Sequence, residues 1–196
     1  TVGAITSLAL AAIDCALWDW RCRRDGQPLW VAAGGAKSKI PVYTTEGGWL
    51  HLPTPTIVSE TLAAQAAGFK GAKIKVGQPH VSQDVARLKA VRDAVGPDFE
   101  IMVDANQCFT LSEALRRAPR YAELGIAWFE EPLPADDIAG HARLAAASEV
   151  PIAVGESLYS PTQFAAYIQQ GAASIIQVDV ARIGGITPWL KVAHMA

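Results

Sequence analysis

Sulfur, net charge and unbroken hydrophobic runs are all scarce in this chain, and each shortage removes a class of protein. Three cysteines, Cys15, Cys22 and Cys108, cannot close a disulfide framework, and their spacing matches no zinc motif. A reducing cytoplasm is the expected compartment. With 17 basic and 19 acidic side chains the net charge is −2, so neither a nucleic-acid footprint nor attraction to an anionic membrane is expected. The longest apolar stretch, Leu8 to Trp20, is interrupted by Asp14 and Asp19, which makes it an amphipathic or buried helix and not a membrane span. No secretory signal opens the given sequence, which starts at Thr1 with no Met and no basic segment, so the natural N-terminus is expected to lie outside it. Low-complexity linkers are missing, as is any sign of a second domain. The one basic cluster, Arg21, Arg23 and Arg24, reads as a solvated helix end.

What is present is alternation. Residues 4 to 22 read as a helix ended by Asp25 and Gly26, followed by a turn at Gly34 and Gly35. Six strand-like runs come next, Ile40 to Thr45, Ala72 to Val76, Glu100 to Asp104, Ala127 to Glu131, Ile152 to Glu156 and Ile175 to Val180. Helical patterns separate them at Val58 to Ala67, Ser82 to Val95, Leu111 to Leu124, Ile138 to Ala147 and Pro161 to Gln170. Connections of that length suit parallel strands with helices outside. The predicted organisation is a helix and linker over 1–39, then a TIM-type (β/α) barrel over 40–196. A full barrel takes about 250 residues, so about six units are expected here, without the last strands or a capping domain. The competing arrangement is an open doubly wound sheet.

Four acids choose between the two. Asp104, Glu130, Glu156 and Asp179 each close an apolar run, at intervals of 26, 26 and 23 residues. An interval of about 25 residues is one βα unit, so the acids occupy the same point of successive units. In a barrel those points form one rim around a mouth, whereas an open sheet gathers its ligands near one switch point. Converging carboxylates repel unless a cation lies among them. Asp104, Glu130 and Glu156 offer an all-oxygen set suited to Mg2+. An acid after a strand often caps the next helix instead, and three in phase make that reading the weaker one. Glu131, adjacent to Glu130, is left to pair with a lysine or to cap a loop. Asp179 could be a fourth ligand or could orient a histidine. His51, His80, His141 and His194 are unconvincing partners, so that histidine is expected beyond Ala196.

On the second strand Lys73 and Lys75 share one face, with Ile74 and Val76 on the other. The apolar pair belongs under helices, which turns both lysines to the mouth. Two ammonium groups about 7 Å apart discourage each other's charge, and desolvation adds to this. A lysine so placed is expected to titrate at about 7 or 8, where it can serve as a general base.

These residues resemble the enolase superfamily and, within it, the mandelate racemase subgroup of the mandelate racemase and muconate lactonizing family. The likeness covers AAIDCALWD at 11–19, KIKVG at 73–77, VDANQ at 103–107, FEEP at 129–132, GES at 155–157, and Asp179 followed by RIGG at 182–185. The resemblance implies that Lys75 is the base, that Lys73 helps hold the substrate carboxylate, and that Asp104, Glu130 and Glu156 bind Mg2+. It makes Asp179 half of an Asp and His dyad; the muconate branch places lysine there. Asn106, Tyr43, Trp49, His51 and Arg182 become candidate substrate contacts, Trp49 being equally a loop-packing residue. KVGQP at 75–79 and YTTEGGWLH at 43–51 look most like galactarate and talarate dehydratases. The implied chemistry is α-proton abstraction from a carboxylate through an enediolate, with dehydration of an acid sugar to a 2-keto-3-deoxy acid in carbohydrate acid catabolism. Racemisation of an α-hydroxy acid, or a non-catalytic barrel fragment, are the alternatives. A homo-oligomer and a small-molecule acid-sugar partner are implied, with no nucleic acid and no membrane.

Overall fold

A computed structural model of the chain describes residues 3–196. The elements follow in the order α1 (Ala4–Asp25), α2 (Leu29–Ala32), β1 (Tyr43–Thr44), α3 (Thr54–Ala66), β2 (Gly71–Lys75), α4 (Val81–Val95), β3 (Glu100–Asp104), α5 (Leu111–Ala122), β4 (Ile126–Glu130), α6 (Ile138–Ala147), β5 (Ile152–Val154), α7 (Pro161–Gln169), β6 (Ile175–Ile176) and α8 (Ile186–Ala193). The strands form one sheet in sequence order, β1-β2-β3-β4-β5-β6, and the paired registers from β1 through β5 are all parallel. This is the strand and helix alternation of a (β/α) barrel. Among the described residues no helix is long and apolar enough to cross a membrane, and the three cysteines are free thiols.

Two compact units make up the chain. The larger takes in Pro41–Ala153 and Gly171–Ile175. Its sheet is apolar on the side under the helices, where Ile74, Ile101, Val103 and Phe129 are buried together with Leu88 and Val91 of α4, Ala114 and Tyr121 of α5 and Leu144 of α6. Each such large side chain contributes about 1.5–3 kcal/mol by leaving water. Phe129 is held edge-on by the Tyr121 ring at 5.1 Å and the Phe109 ring at 6.1 Å. The opposite side is concave. Lys73 on β2 bonds Glu130 on β4 across the intervening β3, and Tyr43 on β1 meets Trp128 on β4 edge to face at 5.2 Å. Strands that are not neighbours touch this way only when the sheet curls toward that face.

The smaller unit comprises the chain up to Ile40, Val154–Gln170 and Ile176–Ala196. Here the sequence run at 11–19 has a structural explanation. Asp14 and Trp18, four residues apart and so on one face of α1, both grip the start of α8. The Asp14 carboxylate accepts from the Thr187 amide at 2.9 Å, supplying negative charge and an acceptor where a helix start has free N–H groups. Trp18 Nε1 donates to the Thr187 hydroxyl at 2.9 Å. Gly185 must be glycine, because its φ is +115° and a Cβ there would lie 2.4 Å from the Asp14 carboxylate.

Differences from the sequence expectation fall at the ends of elements. The first and sixth strands shrink to two residues each, Tyr43–Thr44 and Ile175–Ile176. Each lies at an edge of the sheet, with a ladder on one side only. Beyond β6 the chain turns away, and the Val178 carbonyl accepts from Trp189 Nε1 at 3.0 Å instead of from a strand. The first helix runs three residues further than expected, to Asp25, and closes on Gly26 in the left-handed conformation. The short α2 was not foreseen.

His141 of α6 is fully buried. Its Nδ1 lies 2.9 Å from the Asp137 carbonyl, four residues back, and therefore carries the proton. Burial lowers its pKa below the ordinary histidine value, more than the Asp137 carbonyl and carboxylate raise it. The unfolded chain thus takes up this proton more readily than the folded one, so stability present at neutral pH falls as the pH drops below about 6.5. His141→Asn keeps a donor near the Nδ1 position and removes the titration. Urea midpoints measured from pH 7 to 5.5 should fall less in the variant than in the wild type.

Candidate active site

The strand register of the larger unit builds the site. Lys75 pairs with Asp104, and Asp104 pairs with Glu130, so the C-terminal ends of β2, β3 and β4 present their last side chains side by side. Alternation then sends Lys73 to the same face as Lys75. All four charges meet there. Lys75 Nζ donates to Asp104 Oδ2 at 2.5 Å. Lys73 Nζ lies 2.6 Å from Glu130 Oε1 and 3.1 Å from Asp104 Oδ2, bridging the two acids. Asp104 is 0% and Glu130 1% exposed. The inward direction read for Lys73, Lys75, Asp104 and Glu130 is therefore what the structure shows.

The titration expected of the lysine pair is corrected for Lys73. Burial does pull its ammonium toward neutrality, but the hydrogen bond and charge of Glu130 and the charge of Asp104 outweigh it, and the pKa rises above the ordinary lysine range. Sequence reasoning counted the neighbouring ammonium and overlooked two carboxylates in direct contact. Asp104 shows the reciprocal effect. Its burial favours the neutral acid, while the Lys75 hydrogen bond, the Lys73 charge and the Asn106 amide hold it below the usual carboxylate range.

The donor set suits a hard divalent cation. Two buried carboxylates already converge on a single positively charged atom, Lys73 Nζ, which is the arrangement a cation with oxygen ligands requires. The third acid of the sequence pattern, Glu156, belongs to the smaller unit. Along the chain it follows three residues after Ala153, the residue that pairs with Glu130, on the turn that begins at Gly155.

Loops complete the larger unit's share. Asn106 and Gln107 after β3, and Glu131 after β4, are non-glycine residues with φ of 43°, 65° and 39°, each a left-handed conformation that side chains disfavour. They are locked together: Gln107 N donates to the Glu131 carbonyl at 2.7 Å, and Gln107 Oε1 accepts from the Ala135 amide at 2.8 Å. Gln107 Nε2 also approaches the Glu131 carboxylate at 3.4 Å. Glu131 is thus engaged with the neighbouring loop. Asn106 is exposed, and its backbone N–H donates to Asp104 Oδ1 at 2.9 Å. Trp49 sets its ring 6.0 Å from Lys75 Nζ, Tyr43 packs on Trp128, and His51 is exposed on the turn that carries Trp49.

In the smaller unit Asp179 is exposed and accepts the amides of Ala181 and Arg182 at 2.8 and 2.9 Å, closing its own turn. One contributor was missed. Trp128 Nε1 donates to Glu130 Oε2 at 3.2 Å. The signal was available, since Trp128 stands two residues before Glu130 and alternation puts both on one face.

The chain matches the family model described as enolase C-terminal domain-like over residues 57–196. It is 42% identical over 188 residues to the L-talarate/galactarate dehydratase of Salmonella typhimurium, covering 96% of this chain and 47% of that protein. Among solved structures it resembles the L-talarate dehydratase of a Polaromonas species, crystallised with Mg and L-glucarate, with a TM-score of 0.95 and 38% identity over 100% of this chain and 55% of that one. A racemase of Streptomyces coelicolor with bound magnesium gives a TM-score of 0.96 at 37% identity, over 99% and 54% of the two chains. The chain spans about half the length of these relatives.

Lys73 holds the two buried acids together, so its removal should be felt by the whole unit. Lys73→Met leaves Asp104 and Glu130 without their bridge and should lower the unfolding free energy of the metal-free protein by about 3 kcal/mol. Urea denaturation measures this, and an unchanged midpoint would mean that the bridge contributes nothing to folding.

Proposed function

Because the chain belongs to the enolase superfamily, with its C-terminal barrel domain, we propose that it carries the metal and base half of an enzyme that removes the α-proton of a carboxylate substrate and dehydrates an acid sugar to a 2-keto-3-deoxy acid. One observation carries this reading: Lys73 and Lys75 lie on a single concave strand face in direct contact with the carboxylates of Asp104 and Glu130. An unrelated magnesium-dependent hydrolase or aldolase barrel does not require two lysines on its second strand.

Asp104, Glu130 and Glu156 would hold the ion, and Mg2+ bound there supplies positive charge against the negative charge that develops on the substrate carboxylate. Lys75, on the last residue of its strand and partly open to the mouth, takes the proton from the α-carbon. The electron pair left behind moves onto the carboxylate oxygens as an enediolate. Lys73 sits deeper and stays charged, which suits it to bind one of those oxygens and unsuits it to be the base. Collapse of the enediolate then expels the β-hydroxyl, which needs a proton to leave as water. Asp179 with a histidine outside this chain is the proposed source of that proton.

Asn106, Tyr43, Trp49, His51 and Arg182 are the proposed substrate contacts. A polyhydroxylated diacid offers hydroxyls to Asn106, Tyr43 and His51, a carboxylate to Arg182 and a carbon chain to the face of Trp49. The dehydratase relatives support this choice of substrate. The similarity to a Streptomyces racemase supports a second outcome from the same intermediate, return of the proton to the opposite face. Product analysis of the full-length protein over a panel of acid sugars separates the two, because dehydration alone yields a 2-keto acid detectable as its semicarbazone.

Removing a general base costs about 100- to 10,000-fold in rate. Lys75→Ala should accordingly abolish measurable exchange of the substrate α-proton in deuterium oxide while Mg2+ affinity, by isothermal titration calorimetry, stays within a factor of about three. Persistent exchange would transfer the base role elsewhere. Glu156→Gln should weaken Mg2+ binding by about tenfold or more; an unchanged affinity would remove Glu156 from the ligand set.

A further inference from the structure

Two opposite charges stand one helical turn apart on α4, and each reaches out of the helix to a different loop beside Lys75. Asp84, 1% exposed, accepts the amides of Gly77 and Gln78 at 2.9 and 3.3 Å, just after Lys75. Arg117 of α5, equally buried, donates to Asp84 at 2.5 Å and to the Gln78 carbonyl at 2.9 Å. Arg87, 9% exposed, donates to the carbonyls of Leu50 at 2.8 Å and Trp49 at 3.2 Å. Leu52 lies within a longer reach of the same guanidinium, at 3.4 Å, and Gln78 Nε2 ties the two loops together through the Leu50 carbonyl at 3.2 Å.

A buried guanidinium is expensive to desolvate, and neutral carbonyls repay less of that cost than a carboxylate contact would. Arg87 makes no direct ion pair among the described residues, and its buried Nε has no hydrogen-bond partner there. Its hydrogen bonds go instead to the carbonyls of the loop after β1. The planar fork takes the two carbonyls on separate terminal nitrogens, Leu50 on one and Trp49 on the other, and those two peptide units carry the Trp49 ring.

We propose that Arg87 is a positioning residue which, by clamping the carbonyls of Trp49 and Leu50, holds the Trp49 ring against Lys75 as one wall of the substrate site. This rests on the function proposed above for Lys75. Asp84 and Arg117 secure the other side by fixing the turn at Gly77 and Gln78.

The test is a double-mutant cycle in the full-length, Mg2+-loaded protein, read by α-proton exchange of an acid-sugar substrate and, independently, by fluorine NMR of protein labelled with 5-fluorotryptophan. The Trp49 resonance is identified by its loss in Trp49→Phe. Arg87→Met should slow exchange by about 10- to 100-fold, the effect of a small misplacement of a group at the site. In the Trp49→Ala background the same change should cost less than about twofold. In the wild type the Trp49 resonance should shift when Lys75→Met is introduced, and in Arg87→Met it should cease to respond. Arg87→Lys, which keeps the charge without the fork, should reproduce the loss of response and serves if the methionine variant does not fold. An equal loss of rate in both Trp49 backgrounds, or a Trp49 resonance that still responds to Lys75→Met without the Arg87 fork, would overturn the proposal. If the wild type exchanges no α-proton at all, the proposed function fails, and the fluorine response alone decides the role of Arg87.

Discussion

The contact of Lys73 with both Asp104 and Glu130 is the constraint on which the functional face depends. Like charges on adjacent strand ends would push the rim apart, and two carboxylates this deeply buried would otherwise be protonated or would swell the structure with water. A single ammonium between them removes both costs and ties β2 to β4 across β3. The curl of the sheet brings β2 and β4 within reach of each other, and the ammonium holds them there. The same contact explains why the two lysines are not equivalent: one is committed to the carboxylates, and the other stands at the strand end with a single acid and an indole for neighbours.

Around that cluster polar contacts fix the backbone of the loops, beside the apolar packing of Phe109 and Leu133. Asp84, Arg87 and Arg117 capture backbone groups of the loops after β1 and β2, and Gln107 couples the loops after β3 and β4. Left-handed Asn106, Gln107 and Glu131 store backbone strain of about 1–3 kcal/mol each, and the hydrogen bonds between those loops hold it in place. Such anchoring fixes the loop backbone around the charged cluster.

Much of this was legible in the residues. The equal steps between Asp104, Glu130 and Glu156 reported a repeating unit, because a strand, a helix and two short loops consume a nearly constant length of chain. Alternation reported which side of β2 its lysines occupy. What escaped was long-range. Trp128 met Tyr43 of β1 only because the sheet bends, and Asp14 and Trp18, which looked like part of a family motif, turned out to bind the start of α8. Short-range patterns also overextended the edge strands, where no second neighbour holds the backbone in a ladder.

Order along the chain and the hydrophobic period by themselves determined the parallel architecture and the common face of Asp104, Glu130 and the two lysines. Both depend on local geometry, the two-residue repeat of a strand and the length of a βα unit, which any reader of the residues can count. Tertiary structure decided the charge state of Lys73 and the engagement of Arg87 with Trp49 and Leu50. Those outcomes depend on distances of a few ångströms between residues dozens of positions apart, where Coulomb energy changes steeply and sequence spacing carries no information.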